Sequence, residues 1–214
     1  MTVFEGDFSY KGLQNALKGS LEDKILYTVE FFPEEGKYHF TGHRKCQVRY
    51  SSADMQRKGR VCPVCGRVLT VGVVQRVTDL AEKYERKIEL TDWLLGDQKV
   101  KGIKSEVIKR PPYVMMVPLQ EIISEALSVG VQSKTVQSEY EKIVHAMGTE
   151  FQLLLFASPE ELKKVANEKV VEGIMRVRDR NLFIDPGYDG IFGVVKIWGE
   201  DESVSQMQEQ ISLF

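Results

Sequence analysis

The chain has 214 residues, of which 43% are hydrophobic and 28% are charged, a composition typical of a globular protein rather than of a disordered or fibrous one. No apolar run approaches the roughly 18 residues that a membrane helix needs, and the N-terminus "MTVFEGDFSY" lacks the pattern of a signal peptide. We therefore expect a cytoplasmic protein, in which an odd number of cysteines argues against a disulfide framework and for metal or redox chemistry.

The net charge of −2 conceals a strong asymmetry along the chain. Of the 29 basic and 31 acidic residues, 17 and 8 respectively fall within residues 37–110, a local charge of +9. The remaining 12 basic and 23 acidic residues give −11. Such segregation favours a basic face for a polyanion such as nucleic acid, although a solvated surface with internal salt bridges is the alternative.

The pattern predicts an α+β protein with a small, zinc-stabilised, β-rich domain followed by a helical domain. Residues 1–25 predict a short strand and a helix that stops at Gly19. "KILYTVEFFP" alternates as a strand and opens a zinc-binding domain over 26–90. Residues 91–112 lack clear periodicity and end in two prolines, so we expect a linker there.

All three cysteines lie in "GHRKCQVRYSSADMQRKGRVCPVCG". Cys62 and Cys65 form a knuckle, since a two-residue spacer lets two thiolates reach one ion and Gly66 tolerates the backbone angles of the turn. Cys46 supplies a third ligand and His43 a fourth, which predicts a closed, structural Zn²⁺ site.

Two alternatives remain open for this loop. His39 competes with His43 as the fourth ligand, although its place in the alternating "KYHF" could turn its side chain away. Cys62 and Cys65 could also be a thioredoxin-like redox pair, but the third cysteine and the histidine favour zinc. Basic residues around the knuckle are suited to phosphate contacts, and the DNA-binding candidates there are Arg44, Lys45, Arg60 and Arg67.

Residues 113–182 predict helices in pairs. "EIISEALSVGVQSKTVQSEY" resembles a helix-hairpin-helix motif, in which Gly130 and the helix that opens at Lys134 would approach a phosphate. "SPEELKKVANEKVVEGIMRVR" resembles a second copy, with Asn167 in a left-handed hairpin position and Lys169 as a phosphate contact. Ser158 and Glu161 predict a capping box around Pro159. An ordinary helical bundle is the alternative.

The C-terminal segments complete the chain. Residues 183–204 predict a turn-rich hairpin, and 205–214 form a polar tail that ends in "QISLF". This ending resembles sliding-clamp peptides, in which the apolar side chains enter a clamp pocket, and a frayed terminus is the alternative. The clamp-binding candidates are Gln210, Ile211, Leu213 and Phe214.

Four longer segments strongly resemble the C-terminal half of the endonuclease Q family: "VEFFPEEGKYHFTGHRKC", "CPVCGRVLTVGVVQRVTDLAEK", "PYVMMVPLQEIISEALSVGVQSKTVQSEYEKIV" and "PGYDGIFGVVKIW". The resemblance implies a zinc domain and a helical domain that follow an N-terminal PHP-type phosphoesterase domain. It also implies an enzyme that nicks DNA on the 5′ side of uracil, hypoxanthine or an abasic site. Some family members carry a cysteine where Arg49 stands, so the resemblance favours His43 as the ligand that completes the site in this chain, with His39 still the alternative.

In the family the catalytic metal ligands lie in the PHP domain, shortly upstream of the counterpart of "TVFEGDF", where this sequence begins. We therefore expect residues 1–25 to be a remnant of a preceding domain and the chain to lack a catalytic metal cluster. The implied function is that of a DNA-binding, non-catalytic portion or split partner of a repair endonuclease that docks on the sliding clamp and works with a PHP-domain nuclease subunit. A stand-alone zinc adaptor for protein–protein interactions in replication or repair is the alternative, and a thiol redox enzyme is the third candidate.

Overall fold

The computed structural model describes residues 1–20, 22–85, 89–107 and 110–199, which form a mixed α+β protein, as predicted. The chain divides into two compact units, and each combines two separate stretches of sequence. Unit 1 comprises residues 1–31 and 89–181, and unit 2 comprises 32–88 and 182–214. The sequence pattern predicts consecutive domains instead, because no local pattern shows which distant stretches share a core.

Unit 1 contains a five-stranded sheet. In spatial order its strands are β1 (Thr2–Glu5), β2 (Lys24–Glu30), β7 (Tyr113–Met115), β6 (Val100–Ser105) and β5 (Leu90–Leu95). The β2–β7 pair is parallel, and the other neighbours are antiparallel. Residues 1–25 therefore belong to this unit, because β1 pairs with β2 along its whole length.

The segment expected to be a linker over 91–112 is mostly a β-hairpin. Strands β5 and β6 pair from Leu90 opposite Ser105 to Leu95 opposite Val100. The prediction missed it because the outer strand is largely exposed and so lacks a clean alternation of apolar and polar residues. Tertiary contacts define the hairpin instead: Val100 is fully buried, and the ring of Trp93 lies 6.0 Å from that of Tyr27.

Six helices complete unit 1: α1 (Tyr10–Leu17), α4 (Leu119–Leu127), α5 (Lys134–Met147), α6 (Glu150–Phe156), α7 (Pro159–Leu162) and α8 (Glu168–Arg178). Helix α4 packs against α5 and α8. The fully buried side chains of these helices include Ile122, Ile123, Ile143, Leu153, Leu155 and Ile174. The predicted capping box is confirmed, since Ser158 accepts from the backbone of Glu161 and Glu161 accepts from that of Ser158.

The left-handed conformation predicted for Asn167 is wrong. Asn167 has φ −69° and ψ 159°, and it caps α8 by accepting a 2.8 Å hydrogen bond from the backbone N–H of Val170. In the first helix pair the left-handed residue is Ser128, with φ 55°, rather than Gly130. A residue that caps a helix N-terminus has extended backbone angles, so Asn167 cannot at the same time adopt the left-handed conformation of a hairpin glycine. The helix-hairpin-helix interpretation therefore remains a hypothesis.

Unit 2 contains two small hairpins and two α-helices. Its elements are β3 (Thr41–His43), β4 (Val48–Tyr50), α2 (Ser52–Lys58), α3 (Val73–Lys83), β8 (Phe183–Asp185) and β9 (Val194–Lys196), with 3-10 turns at Pro33–Glu35 and Arg44–Cys46. The predicted terminal hairpin thus belongs to the same unit as the three cysteines. The backbone N–H groups of Gly187 and Gly193 donate to the carbonyls of Glu34 and Glu35, both at 2.9 Å.

The described ranges contain no helix that is long and apolar enough to cross a membrane. The predicted clamp-binding residues lie in 205–214, outside the described part of the chain.

Candidate metal centre

The knuckle predicted at Cys62–Cys65 is a tight turn. The backbone N–H of Gly66 donates to the carbonyl of Cys62 at 3.0 Å, and that of Cys62 donates to the carbonyl of Arg67 at 2.8 Å. Gly66 has φ 72°, a conformation that glycine adopts without steric cost. Both thiols therefore project from one rigid turn, for the reason that the sequence indicated.

A second turn carries the other two ligands. His43 ends β3, and Cys46 ends the 3-10 turn that follows, before Gln47 adopts a left-handed conformation with φ 53°. Two hydrogen bonds between Gly42 and Thr70, at 3.0 and 2.9 Å, tie this hairpin to the chain that leaves the knuckle. The two turns thus face each other across a short distance.

The four predicted ligands converge. The donor atoms of His43, Cys46, Cys62 and Cys65 all lie within 4.8 Å of one another, and His43 Nδ1 lies 3.3 Å from Cys65 Sγ. Tetrahedral zinc with sulfur and nitrogen ligands separates its donors by about 3.3–3.8 Å. The set therefore fits a four-coordinate metal ion, and the predicted grouping of these residues is confirmed.

His39 occupies a different position. Its Nδ1 lies 3.0 Å from the carbonyl oxygen of Pro33, and its ring packs on Phe40 at 4.9 Å between centroids. His39 is not part of the metal-binding group. The choice that the sequence left open is decided by β3, which turns His43 toward the cysteines.

The thiols strongly affect one another's ionisation. Burial, together with the neighbouring thiols of Cys65 and Cys62, raises the pKa of Cys46 to about 11. Burial also opposes ionisation of Cys62, but hydrogen bonds from His43 and from the backbone of Cys65 and Val64 lower its pKa to about 6. Three thiols packed this closely cannot all ionise without a cation, and a bound metal ion would remove the conflict by stabilising every thiolate.

The apolar core around the knuckle is small. It consists of five buried residues, with Cys46 packed against them: Val48, Tyr50, Met55, Cys62 and Leu69. One of the five is itself a ligand. A cluster of this size provides little hydrophobic stabilisation, so the ligands are well placed to contribute to folding.

The DNA-binding candidates are divided between the two units. Arg44, Lys45, Arg60 and Arg67 are exposed in unit 2, where Arg60 pairs with Asp79 at 3.2 Å. Gly130, Lys134 and Lys169 lie in unit 1, where Lys134 is the first residue of α5. The structure therefore brings four of the seven candidates into the unit that holds the metal-binding group.

Sequence reasoning missed the residues that hold the ligand-bearing hairpin from the C-terminal side. The Asp189 carboxylate accepts a 2.7 Å hydrogen bond from the backbone N–H of Arg44, next to His43. The Arg49 guanidinium pairs with Asp185 and donates to the carbonyl of Pro186 at 2.9 Å. The "DG" pair in "PGYDGIF" indicates a turn, but no sequence signal links it to a loop 145 residues away.

The chain is similar to one family model and to two curated proteins. A family model described as the MJ0043 C-terminal domain matches residues 118–181. The chain is 31% identical over 205 residues to the uncharacterized protein MJ0043 of Methanocaldococcus jannaschii, and 28% identical over 195 residues to the uncharacterized protein YqxK of Bacillus subtilis. These matches cover 96% and 91% of this chain, but 23% and 41% of those proteins.

Two solved structures are similar in fold. The lesion-specific endonuclease PfuEndoQ from Pyrococcus furiosus has a TM-score of 0.72 and 30% identity over 93% of this chain. The structure of endonuclease Q in complex with a 27-mer duplex that has an abasic lesion at the active site has a TM-score of 0.68 and 29% sequence identity over 94% of this chain. The chain spans 45% and 46% of those two chains, so it is similar to a part of an endonuclease Q-like protein.

Proposed function

We propose that this chain is the DNA-binding, non-catalytic portion, or a split partner, of a damage-specific DNA repair endonuclease. The observation that carries the proposal is its similarity to PfuEndoQ, with a TM-score of 0.72 over 93% of the chain. One of the two similar structures holds a duplex with an abasic lesion. Deaminated bases and abasic sites are accordingly the substrates that we propose.

The metal centre supports a structural rather than a catalytic role. His43, Cys46, Cys62 and Cys65 provide four protein ligands, which fills the coordination shell of Zn²⁺ and leaves no position for a water or a substrate. Such a zinc ion holds the ligand-bearing hairpin and the knuckle together. We therefore propose that this site stabilises the fold, and that a PHP-domain subunit carries out cleavage, as the resemblance to the endonuclease Q family implies.

DNA is the proposed partner of the basic surface around the knuckle. Arg44, Lys45 and Arg67 are exposed on the two turns that the metal would rigidify. Side chains on a rigid base can contact phosphates with little loss of conformational entropy. Lys134 and the backbone N–H groups of the turn at Gly130 would contact further phosphates of the duplex, independently of its sequence.

A nuclease assay tests whether this chain binds DNA while a PHP-domain subunit cleaves it. Uracil-containing and abasic duplexes are incubated with this chain alone, with a PHP-domain nuclease subunit alone, and with both together. We expect cleavage only when the PHP subunit is present, and stronger cleavage when both are combined. Cleavage by this chain alone that survives substitution of Cys62 would contradict the proposal.

The salt dependence of DNA binding separates the proposal from a zinc adaptor that binds only proteins. Electrostatic binding to duplex DNA weakens with a slope of about −0.9 per neutralised phosphate in a plot of log K against log salt. Replacing Arg44 and Arg67 with alanine should reduce that slope by about two. No measurable DNA affinity at low salt would favour the adaptor.

Sliding-clamp docking through Gln210, Ile211, Leu213 and Phe214 is a further part of the proposal, based on the sequence "QISLF". Phe214→Ala should abolish binding to a purified clamp and leave DNA affinity unchanged. Met207→Ala, in the same tail but outside the motif, is the control. Equal clamp binding by all three proteins would exclude this docking.

A further inference from the structure

Unit 2 exposes a cluster of two aromatic rings and a lysine. Phe192 is 68% exposed and Tyr38 is 45% exposed. The Lys37 ammonium lies 5.4 Å from the centre of the Phe192 ring and 5.9 Å from that of Tyr38. A single exposed apolar side chain needs no explanation, but two rings beneath one cation form a defined surface feature.

The backbone holds this cluster firmly. Tyr188 and Ile191 exchange backbone hydrogen bonds of 3.0 and 2.9 Å around a tight turn, in which Asp189 and Gly190 have positive φ angles of 43° and 86°. The N–H of Gly190 donates to the carbonyl of Lys37 at 2.8 Å. Phe192 therefore follows a turn that is fastened to the segment that carries the lysine and the other ring.

Two basic side chains, Lys37 and Arg44, lie close to the rings and the turn that precedes Phe192. The two carboxylates of this loop are engaged, Asp185 with the Arg49 guanidinium and Asp189 with the backbone of Arg44. The Arg44 guanidinium reaches Gly190, 3.3 Å from the position that a Cβ would occupy there. Gly190 therefore contacts both basic residues, Lys37 through its backbone carbonyl and Arg44 through its guanidinium.

We propose that Lys37, Tyr38 and Phe192 form a stacking site for an unpaired DNA base, with Lys37 and Arg44 serving the adjacent phosphates. This inference rests on the proposed function, since it assigns to the DNA a site that reads an unstacked base rather than the duplex backbone. Aromatic side chains beside cations bind single strands in this way, because every base offers a π-face and every nucleotide a phosphate.

Two physical arguments favour a base over a basic peptide. A lysine already lies above the rings, so a cation from a partner would meet like-charge repulsion. A base instead competes successfully for the rings, since stacking contributes more binding free energy than an exposed ammonium–ring pair. The displaced ammonium can then contact a phosphate.

The test measures the affinity of the zinc-loaded full chain for a labelled single-stranded oligonucleotide and for the matching duplex. Phe192→Ala should weaken single-strand binding about 5- to 150-fold, and Phe192→Trp should retain it. Duplex binding should be unchanged in both variants. Zinc content checks that each variant is folded, which is expected because the Phe192 side chain is largely exposed.

Tyr84→Ala is the matched control. Tyr84 is 60% exposed in the same unit, and Lys83 lies 5.4 Å from its ring centre, but among the described residues no second aromatic ring packs beside it. We expect single-strand affinity equal to that of the wild type. A 2-aminopurine base in the oligonucleotide provides a direct readout, since its fluorescence should be quenched on binding to the wild type and not on binding to Phe192→Ala.

Salt titration separates the roles of the ring and the cation. Lys37→Ala should reduce the single-strand salt slope by about 0.7, whereas Phe192→Ala should leave the slope unchanged. Wild-type affinity in Phe192→Ala, together with intact duplex binding, would overturn the stacking site and leave the proposed function standing. Failure of the wild type to bind either form of DNA would overturn both.

Discussion

Arg178 carries a guanidinium that is almost completely buried at the end of α8, with 1% of the residue exposed. Its Nε and Nη2 donate to the backbone carbonyls of Leu154 and Leu153, each at 2.8 Å. Burial lowers the pKa of Arg178 to about 10, so the group remains a cation at neutral pH. It lies at the C-terminal turn of α6, where unpaired carbonyls and the helix dipole favour positive charge.

Arg178→Met should destabilise unit 1 by about 1–3 kcal/mol, because it leaves two buried carbonyls without donors. Chemical denaturation followed by circular dichroism measures the change. Lys142→Met is the control: Lys142 is exposed and forms an i,i+3 pair with Glu139 on α5 of the same unit, and loss of this pair should cost about 0.5 kcal/mol or less. Equal effects of the two substitutions would contradict a special role for the buried guanidinium.

The two histidines near the knuckle provide a matched pair. His43→Ala removes a ligand and should weaken zinc binding by more than about 100-fold, since loss of a supporting residue alone costs about 10–100-fold. His39→Ala removes a hydrogen bond to Pro33 and a ring contact with Phe40 but no metal ligand, so it should retain one zinc ion per chain. Native mass spectrometry and chelator competition measure both. Loss of zinc in the His39 variant would contradict the assignment of the fourth ligand.

At the level of elements, side chains cap the first turns of α7 and α8 in unit 1. Asn167 caps α8 with its side-chain oxygen, and Ser158 and Glu161 close a capping box on α7. Helix α7 has four residues, so it depends on its cap more than a long helix would. Caps of this kind can be tested one helix at a time.

Asn167→Ala should reduce stability by about 1 kcal/mol, whereas Asn167→Gly should cost only about a few tenths of a kcal/mol. Thermal or urea unfolding of unit 1 provides the measurement. A left-handed hairpin residue at this position would behave differently, because glycine would then equal or exceed asparagine in stability.

The capping box of α7 should respond to pH. Hydrogen bonds from the backbone and hydroxyl of Ser158 lower the pKa of Glu161 below its ordinary value of 4.5. A lowered folded-state pKa contributes stability that is complete above about pH 4.5 and lost as the pH falls through the folded-state value.

Glu161→Gln keeps an acceptor but does not titrate. The difference in stability between the wild type and this variant should therefore be largest near pH 6 and shrink toward pH 3. Amide hydrogen exchange in α7 measures the difference without interference from the metal site in unit 2. If the difference in stability between the two proteins is the same from pH 6 to pH 3, the charge of the Glu161 carboxylate contributes nothing to the cap.

At the scale of the whole molecule, stability should divide along the two units. Unit 1 has an extensive buried core of its own, while the knuckle region of unit 2 has a core of five residues. Structural zinc provides about 10–16 kcal/mol of apparent binding free energy in small modules of this type.

Removal of zinc with a chelator should therefore abolish amide protection in β3, β4 and the knuckle, and leave the helices of unit 1 protected. Hydrogen exchange with mass spectrometry measures both units in one experiment. Restored protection after zinc is added back is the control for reversibility. Full protection of the knuckle in metal-free protein would contradict a structural role for the ion.

Local sequence determined the elements whose signals are short-range. The knuckle followed from Cys62, Cys65 and Gly66, and the α7 cap from Ser158 and Glu161, because each depends on residues within a few positions of one another. The three cysteine ligands also followed from spacing, since Cys46 lies within reach of the knuckle formed by Cys62 and Cys65.

Tertiary structure decided what depends on distant neighbours. In the folded chain His43, and not His39, lies with the three cysteines, and β2 pairs with β7. The segment expected to be a linker forms the β5–β6 hairpin, and the C-terminal hairpin lies in the same unit as the cysteines. Each of these outcomes rests on hydrogen bonds or burial between residues far apart in the chain. No periodicity, cap or spacing within a local window contains that information, because the free energy that favours each pairing arises only when both partners are present.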